Sequence, residues 1–392
     1  VEFGEVELTP DGTRVVYRRA FVDLRSAPVD GSQPAHAISE SVLGVIGDIR
    51  ITPAGDDVLW RVSSSSGGRL LRARVDGSDS PAELGPLLVA SGDVLSFAIT
   101  PDSARAVLRA DAQVDERFEL WSTPTHGFGT ATKLNGTLVS NGDVQEYALT
   151  PDSARVVYRA DQTVNNAFEL HSVPVNGGSA LRLTVLPAGR DVEPDFRIVP
   201  ASTHALYRAN ATNLDSLELF RVALDGSAPP EALLPAFAPG RDVTSFDVSP
   251  DGRWVVFVGD PRADEVFELF SRSLVGPALR ALVVLPPEAD VSSFRLSPDS
   301  RFAFYLADPR LDGTQELFRV PLDGRAPPVR VHAPLPVTSD VEPDYLPQLD
   351  GRVLYRVDRE TEGVLELFHF LALDAEHTLP AARPTVTKSI VR

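Results

Sequence analysis

Residues Gly142-Asp-Val-Gln-Glu-Tyr-Ala-Leu-Thr-Pro-Asp-Ser-Ala-Arg-Val-Val-Tyr-Arg-Ala-Asp161, with Phe168-Glu-Leu-His-Ser-Val-Pro-Val-Asn-Gly-Gly178 after them, make up a unit that the chain writes eight times. Aligning on Asp152 marks Asp11, Ala54, Asp102, Ala201, Asp251, Asp299 and Asp350, with successive spacings of 43 to 51 residues. Such regularity is the mark of one supersecondary unit in an array. Each unit carries three strand signals. Val144 to Leu149 alternates with period two, and Thr150-Pro-Asp-Ser153 turns the chain: proline presets the backbone, and aspartate bonds its own downstream amides. Val156-Val-Tyr158 is apolar without alternation, a strand covered on both faces. The third strand, Phe168 to His171, alternates again and runs toward a hairpin turn of the Asn176-Gly177 or Asp225-Gly226 kind. A fourth strand near Ala180 to Val185 is weakly marked.

Four antiparallel strands per unit, repeated, predict an all-β, eight-bladed β-propeller. The expected blades lie near residues 1–44, 45–91, 92–141, 142–190, 191–240, 241–289, 290–338 and 339–384 of one domain, with 385–392 a terminal strand or tail. The turn Ser/Thr-Pro-Asp-Gly/Ser, the run Val-Val-Tyr-Arg-Ala-Asp and the Phe-Glu-Leu strand resemble the TolB-like, WD-repeat-related propeller repeat of bacterial envelope and secreted proteins. That resemblance implies a secreted, periplasmic or cell-surface bacterial protein. Members of the family serve as protein-interaction platforms or as gates attached to serine peptidases.

Composition narrows the partners. A formal charge of −18 disfavours nucleic acid and anionic membranes, which need a basic face. The longest apolar runs are broken by Pro or Arg, so no membrane insertion is expected. Val1-Glu-Phe-Gly4 reads as a first strand, so no signal peptide is expected there. The absence of cysteine removes disulfides, thiolate metal sites and cysteine nucleophiles.

Two acidic series recur. Asp93, Asp143, Asp191, Asp242, Asp290 and Asp340 open the first strands; Asp111, Asp161, Asn210, Asp260, Asp308 and Asp358 close the second. One reading is a carboxylate ring at a channel mouth, suited to calcium; the other is that each Asp accepts amides in its turn. Repeats five and eight share Asp-Val-Glu-Pro-Asp, an insertion expected to bulge and present Glu193, Asp195, Glu342 and Asp344. Arg109, Arg159, Arg208 and Arg356 are expected to pair across the sheet with Glu119, Glu169, Glu218 and their equivalents. Ser63 to Gly68 reads as a flexible polar tip. The segment Thr385, Val386, Thr387 through Ile390 and Val391 has strand propensity and is expected to add an outer strand, in its own molecule or to a partner.

No G-x-S-x-G elbow or H-E-x-x-H motif occurs, and the histidines are scattered; His126 and His171 read as packed or solvated. The expectation is therefore a non-enzymatic interaction scaffold with a protein partner or self-assembly and no cofactor. The alternative is a propeller that binds a small ligand or a cation, calcium being the candidate, or that serves as an enzyme's accessory module.

Overall fold

The repeat folds as its hydrophobic pattern dictates: a computed structural model of the chain is all-β, with eight four-stranded antiparallel sheets, each built from consecutive strands. It describes residues 3–21, 23–39, 44–65, 67–126, 129–235, 238–286, 289–310, 313–336, 339–358, 364–370 and 386–389. One short 3-10 turn, Leu349–Gly351, is the sole helical element among them. The quoted unit forms Val144–Leu149, Arg155–Ala160, Glu169–Pro174 and Leu181–Arg182, in that order across the sheet. The chain divides into two compact units, residues 1–205 with 222–230, and residues 206–221 with 231–392.

The second strands are the buried ones. Val156, Val157, Tyr158 and Ala160 are sealed from solvent, as are Val255, Val256 and Phe257. Both faces of such a strand need cover, and neighbouring sheets supply it. In the first unit, Val107, Leu120 and Leu134 of the third sheet share a core with Val144, Val156 and Tyr158 of the fourth. In the second, Phe304 and Leu317 of the seventh pack with Tyr345, Val353 and Tyr355 of the eighth. Within the fifth to eighth sheets the second-strand aromatic stacks on its cross-strand partner: Tyr207 on Phe220 at 5.5 Å, Phe257 on Phe270 at 5.2 Å, Tyr305 on Phe318 at 5.3 Å and Tyr355 on Phe368 at 5.7 Å. Offset stacking adds to the area these rings bury. The fourth sheet departs, stacking His171 on Tyr158 at 5.1 Å.

Polar atoms tie one repeat to the next through the turns. Asp102 and Asp152 bond their own turns, each Oδ1 accepting the amide two residues on at 3.0 Å. The following residue takes a left-handed backbone, glycine at Gly12, Gly252 and Gly351 but serine at Ser103, Ser153, Ser202 and Ser300, with φ of 58 to 64°. A serine there costs about 1 kcal/mol relative to glycine. Its hydroxyl is what the neighbouring repeat uses: Ala54 N donates to Ser103 Oγ (2.9 Å), Asp102 N to Ser153 (3.0 Å), Asp152 N to Ser202 (3.1 Å) and Asp251 N to Ser300 (2.9 Å).

Several expectations change. The recurring arginines do not pair with the recurring glutamates. Register sets Arg109 opposite Leu120 and Glu119 opposite Ala110, so the two side chains leave opposite faces. The arginines reach toward the next sheet, Arg159 Nε donating at 2.5 Å to Val192 O, in the segment before that sheet's first strand, and Arg208 Nη1 at 2.7 Å to Val243 O of the next first strand. Arg356 instead pairs with Asp344 at 2.7 Å. The glutamates meet cations on or near the fourth strand, Glu169 with Arg182 at 2.5 Å and Glu316 with Arg330 at 3.0 Å.

Bulges are not confined to repeats five and eight. A register shift follows Val144, Val243 and Val291 as well. Pro194 and Pro343, which carry no amide hydrogen, go further and leave first strands of only Arg197–Ile198 and Leu346–Pro347. Of the Ser63 to Gly68 segment, Ser63, Ser64, Gly67 and Gly68 are paired strand and no loose tip, because Asp57–Ser64 and Gly67–Arg74 pair along their whole length; Ser66 lies outside the described residues. At the C-terminus Val386–Ser389 pairs antiparallel with Glu366–Phe370 as the fourth strand of the eighth sheet. Thr385, Ile390 and Val391 lie outside the described residues.

Ser153→Ala should cost about 2 kcal/mol in urea unfolding, losing the bond to Asp102 while keeping the left-handed strain, whereas Ser153→Gly should fall within about 0.5 kcal/mol of wild type. Equal losses in the two variants would show that the left-handed strain contributes nothing, and an unchanged Ser153→Ala would show the same of the hydroxyl.

His171 is 1% exposed, and neither ring nitrogen has a hydrogen-bond partner among the described residues. Burial lowers its pKa to about 4, from an ordinary 6.5. The unfolded chain therefore binds the extra proton first. The native state should lose about 2 kcal/mol between pH 7 and pH 5, with no further loss from this group below pH 4. His171→Phe, restoring the ring pair of the sister sheets, should raise stability by about 1–2 kcal/mol at pH 7 and remove that part of the pH dependence. Urea unfolding at pH 7 and pH 5 checks both.

Candidate functional site

The acidic series that open and close the strands form chains of amide bonds. Asp161, 2% exposed, accepts Asp143 N at 2.7 Å on one oxygen and Asn166 N at 2.8 Å on the other. Asp260 does the same with Asp242 N (2.6 Å) and Glu265 N (3.1 Å). The Asp of the first strand reaches back to the previous repeat's third strand: Asp143 accepts Phe118 N at 2.8 Å, Asp191 Phe168 N at 2.8 Å, Asp242 Leu217 N at 2.5 Å, Asp290 Phe267 N at 2.8 Å and Asp340 Gln315 N at 2.6 Å. Asp93 donates its own amide to Asp111. Burial raises the Asp143 pKa, and the nearby Asp161 charge adds to that rise against the pull of the Phe118 amide.

Of the inserted acids, Asp344 pairs with Arg356, Glu342 N donates to Arg356 O at 2.9 Å, and Asp195 O accepts from Arg197 at 3.4 Å. Glu193 is half-buried in the same segment. Among the described residues, neither these acids nor the strand-opening ones form a group of three close donor atoms. The three-residue group that the structure does gather among them is Asp56, Asp57 and His126, whose donor atoms all lie within 4.8 Å of one another.

This group grows out of a substitution within the repeat. Repeats one, three and four begin their second strand with an arginine that bonds a third-strand serine: Arg14 to Ser26 at 3.1 Å, Arg105 to Ser122 and Arg155 to Ser172 at 2.7 Å. Repeat two replaces the pair with Asp57 and Arg72, joined at 2.5 Å. Arg72 also bonds Asp79, and Arg74 pairs with Asp56 at 3.3 Å. His126 reaches in from the segment after the third sheet's Glu119–Pro124 strand, its Nδ1 3.0 Å from Asp57 Oδ2 and its Nε2 3.9 Å from Asp56 Oδ2. Arg72 Nη2 stands 3.3 Å from the same Nδ1. Asp57 has no exposed side-chain surface, whereas His126 is 47% exposed. Burial raises the Asp57 pKa, outweighing the Arg72 guanidinium that opposes it.

The sequence reading passed over Asp56, Asp57 and Arg72 and took His126 for a packed or solvated residue. The signal that would have found them is the exchange of Arg and Ser for Asp and Arg at equivalent positions in one repeat.

No protein-family model matches the chain, and no curated protein sequence matches it. Solved structures similar to it include the dipeptidyl peptidase 4 of Porphyromonas gingivalis, 11% identical with a TM-score of 0.63, covering 93% of this chain and 57% of that one. A structure from a study of two prolyl endopeptidases, on the role of inter-domain dynamics in catalysis and specificity, matches at 12% identity and a TM-score of 0.50, over 91% of this chain and 54% of that one. A putative TolB from Agrobacterium tumefaciens is also among them, at 19% identity and a TM-score of 0.37, over 64% of this chain and 85% of that one. The chain spans a little over half the length of the peptidases it matches. Their likeness overturns the expectation of a non-enzyme: the fold occurs within peptidases, and a missing nucleophile elbow excludes one chemistry in one segment.

Asp161→Ala should cost about 2–3 kcal/mol in chemical denaturation, since two buried amides lose their acceptor. Asp143→Asn keeps the Phe118 acceptor and removes a charge that burial disfavours, so it should stay within about 0.5 kcal/mol of wild type. A large loss in Asp143→Asn would mean that its charge has work beyond the turn.

Proposed function

We propose that the chain is a TolB-like, eight-bladed β-propeller, one domain over residues 1–384 with the repeat boundaries given above, secreted or at a cell surface, that acts by binding a protein partner. One observation carries this reading. Val114 and Val164 occupy equivalent tips between the second and third strands of consecutive repeats, and they are 49% and 60% exposed. Both tips are held rigid, because Asp111 and Asp161 accept the amides of Glu116 (2.9 Å) and Asn166 (2.8 Å) just beyond them. Apolar residues on fixed tips, set in a chain of charge −18, suit a partner with an apolar contact and a basic rim.

The peptidase likeness favours a second reading, in which the partner is a hydrolase and this chain is its accessory module. The test is cross-linked affinity capture from the native source with wild-type chain and with a Val114→Asp, Val164→Asp double variant. The captured partner should fall about tenfold in the variant and should be released by raised salt. Equal capture by both forms overturns the proposed face. Labelling of the captured partner by a fluorophosphonate probe supports the hydrolase, and an unlabelled partner leaves the scaffold.

A further inference from the structure

We propose that Asp56, Asp57 and His126 bind a divalent transition-metal ion of the zinc type, held between the second sheet and the segment that follows the third sheet's third strand. The donor set is one imidazole nitrogen and two carboxylates, which suits zinc better than calcium or magnesium, whose sites are built from oxygen alone. One donor atom from each residue lies within 4.8 Å of the other two, and His126 Nδ1 stands 3.0 Å from Asp57 Oδ2, near the roughly 3.4 Å between ligands of a tetrahedral ion.

A second observation points to a ligand. Asp57 Oδ2 is fully buried and accepts no hydrogen bond among the described residues; the His126 nitrogen 3.0 Å away stands outside hydrogen-bond geometry. A sealed carboxylate oxygen facing an imidazole is costly unless a proton or a cation lies between them. The surroundings orient the donors. Arg72 holds Asp57 Oδ1 at 2.5 Å and turns Oδ2 toward the imidazole, while Thr52 Oγ1 holds Asp56 Oδ1 at 3.1 Å and Arg74 Nη1 holds its Oδ2 at 3.3 Å, 3.9 Å from His126 Nε2. Such outer partners are typical of metal centres.

Charge agrees. Asp56, Asp57 and Asp79 carry three negative charges, Arg72 and Arg74 two positive ones, so one negative charge remains for a cation. The group is also particular to repeat two. A feature serving the array would recur in its sisters, which carry arginine at that position in repeats one, three and four and His204, Trp254 and Phe302 in repeats five to seven.

The test is native mass spectrometry and titration calorimetry on tag-free protein with zinc chloride, and with calcium chloride for comparison. Wild type should take up one zinc ion per chain at micromolar affinity or tighter and melt at a higher temperature with zinc present. His126→Ala should weaken uptake by about tenfold or more and abolish the melting shift. His126 is half exposed, so the variant should fold, and circular dichroism checks this; His126→Gln serves if it does not. His204→Ala should bind as wild type does. The proposal is overturned if no stoichiometric zinc binds at about 100 μM, if uptake survives loss of His126, or if calcium binds equally well without regard to it.

Discussion

Burial of the second strand on both faces is the constraint from which the rest of this structure follows. A strand such as Arg155–Ala160, closed to solvent from Val156 to Ala160, cannot exist in a sheet that presents a face to water. It requires sheets on either side, each neighbour meets the same requirement, and an array results. The cross-strand rings, Phe257 on Phe270 and Tyr305 on Phe318, fill the layer that this stacking creates. Where the layer receives an imidazole, at His171, the same burial becomes a liability in acid.

Stacked apolar layers attract without choosing a register, and the polar residues of the repeat supply one. Three sets of bonds do this: turn amide to the next serine, strand-opening Asp to the previous third strand, and Arg to a carbonyl in or just before the next first strand. Each joins residues roughly a repeat or half a repeat apart, and each uses a backbone group that stacking alone would leave unpaired. Almost all of the recurring charge is absorbed here, and for that reason the informative chemistry sits where one repeat breaks ranks.

The sequence made the strands legible wherever side chains alone report the environment. Val156-Val-Tyr158 announces two-sided burial, and Asp225-Gly226 announces a hairpin. The fourth strands were faint because pairs such as Thr132–Lys133 and Leu181–Arg182 are two residues long and largely exposed, so no hydrophobic period accumulates. The arginines were misjudged because alternation places a side chain on a face without saying which neighbour it meets, and a one-residue offset separates Arg109 from Glu119. Asp57 and Arg72 read as ordinary charges until set against Arg105 and Ser122, and His126 belongs to a different repeat from its partners.

The serine bonds have a direction. In each, an earlier repeat offers the amide and a later one the hydroxyl, from Ala54 to Ser103, Asp102 to Ser153 and Asp152 to Ser202. During synthesis the amino-terminal repeat leaves the ribosome first, with its turn amide still facing water. The repeat that follows delivers the hydroxyl, and the strain of its left-handed serine is compensated in the same event. At these joints a repeat's turn amide is satisfied only by its successor, which leaves the ribosome after it.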